Sequence, residues 1–157
     1  MRSYFFALSA VIAMTSNAQA REFEAGQLWS YKTRPGDESS LVLINLVESV
    51  PKLGTVYHIS VLKVHMPSWA DNSRPEIDLP HFPVLKETLE KSLIAHVGER
   101  APLDAYRNGY DTWRSAFDAT RAGAFTVSVA EVISMVEETI EKNRPQSPNA
   151  APEHNSQ

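Results

Sequence analysis

Apolar residues keep two different periods along this chain, and that change of period limits the possible folds more than any other feature. Through residues 21–66 they alternate or run continuously, and from residue 83 they recur every three or four positions. The first pattern belongs to strands and the second to helices. Residues 27–33 (QLWSYKT) place Gln27, Trp29, Tyr31 and Thr33 on one face of an extended segment. Arg34-Pro35-Gly36-Asp37 follows, with Pro second and Gly third, as a type II turn requires. Residues 41–47 (LVLINLV) are apolar almost throughout, as in a strand covered on both faces. A second turn at residues 50–54 leads into residues 55–66, rich in β-branched side chains. Short links between successive strands imply an antiparallel meander. Residues 75–79 add a short edge strand, and Pro80-His81-Phe82-Pro83 is expected to break the chain direction.

Three helices are expected after that break. The first covers residues 83–97, with Leu85, Leu89, Leu93 and Val97 in line, and Gly98 ends it. The second covers residues 103–121, with a stripe of Tyr106, Tyr110, Trp113 and Phe117 and with Asp104 as its cap. The third opens on a capping box, Ser128 with Glu131, and ends near Asn143. It presents Val129, Val132, Ile133, Val136 and Ile140 on one face. Strands first and helices after is the α+β pattern. The expected architecture is one domain over residues 21–143, a small curved antiparallel sheet with about three helices packed on one face.

The two ends read differently. Residues 1–20 carry Arg2, an 11-residue apolar run from Tyr4 to Met14 and a terminal A-x-A, the order of a secretory signal peptide. The run is too short for a stable membrane anchor. Cleavage is expected after Ala20, giving a periplasmic or secreted protein with no membrane insertion. Residues 144–157 hold three prolines and no large apolar side chain, and are read as a disordered tail. The chain has no cysteine, which excludes disulfides, thiolate zinc ligands and a Cys nucleophile. The net charge of −4 becomes −5 without Arg2, which argues against nucleic acid and anionic lipid as partners.

No recognised catalytic motif is present: the chain lacks H-E-x-x-H, G-x-S-x-G and a phosphate loop. No metal and no cofactor is expected. Two groups of residues remain as candidates. Arg34, Asp37, Glu38, Ser39 and Ser40 form a polar hairpin tip beside Trp29 and Tyr31, which could recognise an acidic partner through an Arg fork and aromatic anchors. Trp69, in a polar loop, would join it as an anchor if exposed. The other group is catalytic in type. His58 shares a strand face with Ser60, a base beside a hydroxyl, and His81 stands between prolines. Glu137, Glu138 and Glu141 read as a solvated acidic helix face.

The strings at residues 26–48 (GQLWSYKTRPGDESSLVLINLVE), 56–61 (VYHISV), 79–84 (LPHFPV), 109–117 (GYDTWRSAF) and 122–131 (AGAFTVSVAE) together resemble a group of small uncharacterised bacterial exported proteins. The likeness covers most of residues 25–138. It implies a bacterial domain of its own kind and brings no activity, cofactor or catalytic residue with it.

The sequence therefore favours an exported binding or interaction domain over an enzyme. An inhibitor or immunity-type partner of another exported protein is the concrete form of that reading. The alternatives are a small hydrolase using His58 with Ser60, or His81, and a structural accessory of the envelope. Oligomeric state stays open.

Overall fold

Four strands follow the chain order as an antiparallel meander: Gln27–Tyr31 (β1), Leu41–Val50 (β2), Gly54–His65 (β3) and Glu76–Leu85 (β4). Leu93–Glu99 (β5) adds to the free side of β1, giving an open sheet of order β4-β3-β2-β1-β5. The helices are Lys86–Ser92 (α1), Tyr106–Asp118 (α2) and Val129–Asn143 (α3). The computed structural model describes residues 22–71 and 73–144. The expected signal peptide, and all but Arg144 of the expected tail, lie outside the described residues. No helix among the described residues is long and apolar enough to cross a membrane. The architecture is α+β.

Both strand links form as the turn residues dictate. Asp37 N–H bonds Arg34 C=O at 3.1 Å and Gly36 has φ +92°, the geometry of a type II turn. At the β2–β3 link Lys52 takes φ +73° ahead of Gly54 at +82°. The α3 capping box is complete, with Ser128 Oγ accepting from Glu131 N–H while the Glu131 carboxylate accepts from Ser128 N–H at 2.8 Å.

The sheet is covered on both faces, and this corrects the expectation of helices on one side. Trp29, Tyr31, Val42, Ile44, Tyr57, Ile59, Val61, Phe82 and Val84 meet Leu89 of α1 and Val129, Val132 and Ile133 of α3. The alternate residues of the same strands face the other way. There Val50 and Val56 pack with Trp113 of α2, beside Tyr110 and Phe117.

Two further expectations are overturned. The strand expected to end at Leu79 continues through Pro80 and Pro83 to Leu85. A proline costs a ladder bond only in a central strand, and β4 is an edge. Its outer side is instead met by residue 125: Phe125 N–H bonds Pro83 C=O at 2.8 Å, and Leu85 N–H bonds Phe125 C=O at 2.9 Å. The helix expected over residues 83–97 is cut to α1, and residues 93–99 are strand rather than helix. Leu89 and Leu93 are buried, so the four-residue spacing holds for one turn, but Ile94 and Val97 are exposed. The competing demand comes from β1. Its outer backbone groups need partners, and residues 93–99 supply them in extended form.

Candidate functional site

A line of three ionisable side chains crosses β2, β3 and β4 on the face under α2. Leu46 pairs with His58 and His58 with Pro83. Glu48 and His81 are therefore the diagonal neighbours of His58 on either side, within reach of long side chains. His58 Nε2 lies 3.0 Å from Glu48 Oε1, and His58 Nδ1 lies 2.9 Å from His81 Nε2. A carboxylate only accepts, so His58 donates from Nε2 and its Nδ1 accepts from His81 Nε2–H. That fixes both tautomers and leaves the lone pair on His81 Nδ1.

α2 closes over this line. Tyr110 and Trp113 meet the His58 ring edge-on, with centroids 4.9 and 4.8 Å away. Arg114 reaches to 3.8 Å from Glu48 and 3.4 Å from Asp118. His58 is 0% exposed. Burial lowers its pKa more than Glu48 raises it, and Arg114 pushes the same way as burial. Burial, with the neighbouring His58, takes His81 down to about 4. Both rings are neutral at pH 7.

Gly109 is what lets the helix sit so low. A Cβ there would stand 2.6 Å from His81 Cβ, well inside contact distance. Gly109→Ala should gain about 1 kcal/mol of helix propensity. It should lose more, because His81 Cβ is fixed to the β4 backbone and α2 must lift. The expected net cost is about 1–3 kcal/mol, the usual range for overpacking. Urea unfolding tests it, and a stabilised variant would show that α2 has freedom to move outward.

Ser60 does not join His58 in chemistry. Its buried hydroxyl donates to Pro80 C=O at 2.6 Å and accepts from Asn45 Nδ2 at 2.8 Å. Its proton is spent on the backbone and it is no nucleophile in this arrangement. Neither His58 nor His81 lines the clefts near Arg34 and Phe117.

The expected recognition hairpin is also rearranged. Trp29 and Tyr31 are core residues rather than anchors, and the Tyr31 hydroxyl pairs with buried Ser40 at 2.9 Å. Glu38 remains exposed and accepts from Gly36 N–H at 2.8 Å. Arg34 forks onto Asp37 Oδ2 through Nε at 2.9 Å and Nη2 at 2.8 Å, and its Nη1 bonds Glu137 Oε2. Arg74 holds the other oxygen of Glu137 at 2.6 Å. Glu137 is thus tied between two guanidinium groups and is not part of a solvated face. Asp37 is 2% exposed and also accepts from His65 N–H at 2.9 Å. Burial pushes its carboxyl up, but His65 N–H and Arg34 outweigh burial and hold it below the ordinary value.

Around this network lies an open cleft of about 560 Å³, lined by Arg34, Asp37, His65, Arg74, Ser134 and Glu137. Trp69, from the loop that carries Arg74, is 54% exposed. The sequence did not single out Glu48, Gly109 or Arg74, and it placed Glu137 in solvent. Only strand register and helix placement bring them to their partners. Among the described residues no group of three or more His, Asp or Glu side chains is arranged to hold a metal ion. Compared with known proteins, the chain matches no family model, and no curated protein or solved structure is significantly similar to it.

Proposed function

We propose that this chain is a small exported domain that acts by binding another exported protein, as an inhibitor or immunity-type partner does, and not by turning over a substrate. One contrast carries the reading. Of the residues best suited to hydrolysis, His58 lies under α2 with both ring nitrogens paired, and the Ser60 hydroxyl is buried and spent on Pro80 C=O and Asn45. The open cleft instead carries Arg74 and His65, each exposed over nearly half its side chain, with Trp69 in the adjoining loop. Trp and Arg are the residue types in which interface energy concentrates.

Arg34 has a structural part in this reading, holding the turn to α3. The contact residues are Arg74 and Trp69. Capture of the native partner from a periplasmic extract should weaken by about 2 kcal/mol in Trp69→Ala and in Arg74→Ala, within the hot-spot range. Unfolding midpoints should change little for Trp69→Ala. Capture indifferent to both changes, together with a hydrolytic activity lost in His81→Ala, would replace this reading by the hydrolase. One observation favours that second reading: His81 Nδ1 holds a lone pair with no hydrogen bond among the described residues, backed by His58 and Glu48. A general base needs such a lone pair.

A further inference from the structure

The imidazole pair, His58 buried and His81 half-buried, and the helix that covers it are built to respond to one another. α2 has little of its own to keep it helical. Its first residue follows Ala105, with no side-chain cap, and the expected cap Asp104 makes none. It has no acidic residue in its first turn and no basic residue in its last. Gly109 lies in its interior, costing about 1 kcal/mol against Ala. A helix of 13 residues with such ends is marginal in water and depends on docking. Its seat is the sheet face holding Glu48, His58 and His81, with Val50 and Val56 under Trp113.

Docking α2 over that seat disfavours the charged form of both rings. A proton arriving on His81 Nδ1 makes a new N–H donor close to α2, where a Cβ at Gly109 would stand 3.1 Å from that nitrogen. Helix carbonyls there are used within the helix, so α2 offers that proton no acceptor of its own. A second proton on His58 Nδ1 would set two N–H donors against each other at 2.9 Å. The charged and titratable groups facing the pair are Glu48 from β2 and Tyr110 and Arg114 from α2, with Asp118 paired to Arg114. Arg114 is a cation on the moving element, so imidazolium formation repels α2 directly.

We propose that the Glu48–His58–His81 line is a proton-operated latch on α2, seating the helix at neutral pH and freeing residues 106–118 from the sheet when the imidazole pair takes up protons in acid, while α1 and α3 stay packed on the other face. The proposal is independent of the binding reading. Its pH window follows from linkage. The docked state keeps His81 neutral down to about 4, while a freed ring titrates near 6.5. The docked state is fully favoured above pH 6.5, loses ground as pH falls from there, and loses no more through His81 below about 4.

Amide hydrogen exchange on the protein from pH 7 to pH 4, corrected for intrinsic rates, tests this. Protection of residues 106–118 should fall about tenfold or more beyond any fall in residues 129–143, as expected for opening of one local unit. In His81→Gln, which keeps a donor toward His58 but does not titrate, the extra loss should vanish. Should that variant fail to fold, ring-proton NMR of the natural protein serves, and the imidazole titration midpoint must coincide with the loss of α2 protection. The latch is overturned if α2 and α3 lose protection together, if α2 opens in acid in His81→Gln as well, or if the rings titrate while α2 stays protected.

Discussion

Arg34→Ala should destabilise the fold by about 3 kcal/mol, the order found when one partner of a buried ion pair is removed. A turn residue of a polar hairpin would ordinarily cost under about 0.5 kcal/mol. The difference lies in what Arg34 leaves behind. Asp37 is buried and takes two of the guanidinium's hydrogen bonds. Without Arg34 its carboxylate keeps, among the described residues, the backbone and ring contacts to His65. Glu137 loses one of its two guanidinium partners and the turn loses its tie to α3. Arg34→Lys should recover only part of the loss, because an ammonium cannot fork onto Asp37 while reaching Glu137. The double change Arg34→Ala with Asp37→Ala should cost less than the sum of the two singles, since no unpaired buried charge remains. The Asp37 carboxyl is held below its ordinary value, so its contribution is complete above about pH 4 and is lost as pH falls further. Urea midpoints for the four variants and the natural protein at pH 7 check the set. Additive costs would show that Arg34 and Asp37 act separately.

The elements legible in the sequence were those whose signal is local. β1, β2 and β3, the type II turn at Pro35-Gly36, the α2 stripe and the Ser128 capping box each rest on neighbours a few residues apart. What escaped depends on distant partners. β5 exists because β1 needs a second neighbour, and β4 keeps its prolines because it is an edge. Glu48 shows the limit most clearly. Strict alternation from Val42 and Ile44 would put Leu46 and Glu48 on the same face as those two. A register shift between Ile44 and Leu46 reverses the faces. Val47 then packs with the large core, and Glu48 turns toward His58. One extra residue in a strand decides whether the carboxylate meets an imidazole, and nothing local announces it. Trp29 and Tyr31 show the same limit from the other side. Their alternation is plain in the sequence, but which face is buried depends on where α1 and α3 dock.

Trp113→Ala should cost about 3–5 kcal/mol, the range for removing a buried aromatic side chain. Trp113 is 7% exposed and closes the smaller core against Val50 and Val56. It stacks on Phe117 with centroids 5.3 Å apart and meets His58 edge-on. Its indole N–H donates to Gly123 C=O at 2.7 Å, which ties the chain after α2 back to the helix. Truncation therefore removes the packing, opens a void beside a buried histidine and cuts the tie to Gly123. Trp113→Phe separates these terms. It keeps most of the ring contact and loses the N–H donor, so it should cost about 1–2 kcal/mol. A domain of this size holds about 5–15 kcal/mol in total, so the alanine change takes about a fifth of it or more. Chemical unfolding followed by far-UV circular dichroism measures both variants, with an unchanged slope showing that stability alone has moved. A near-neutral alanine variant would mean that the α2 stripe faces outward and that the sheet carries one core instead of two. The aromatic stripe was visible in the sequence as a stripe. Its energetic weight comes from the second sheet face it covers, which residues 50–58 present only because β2 and β3 pair in the observed register.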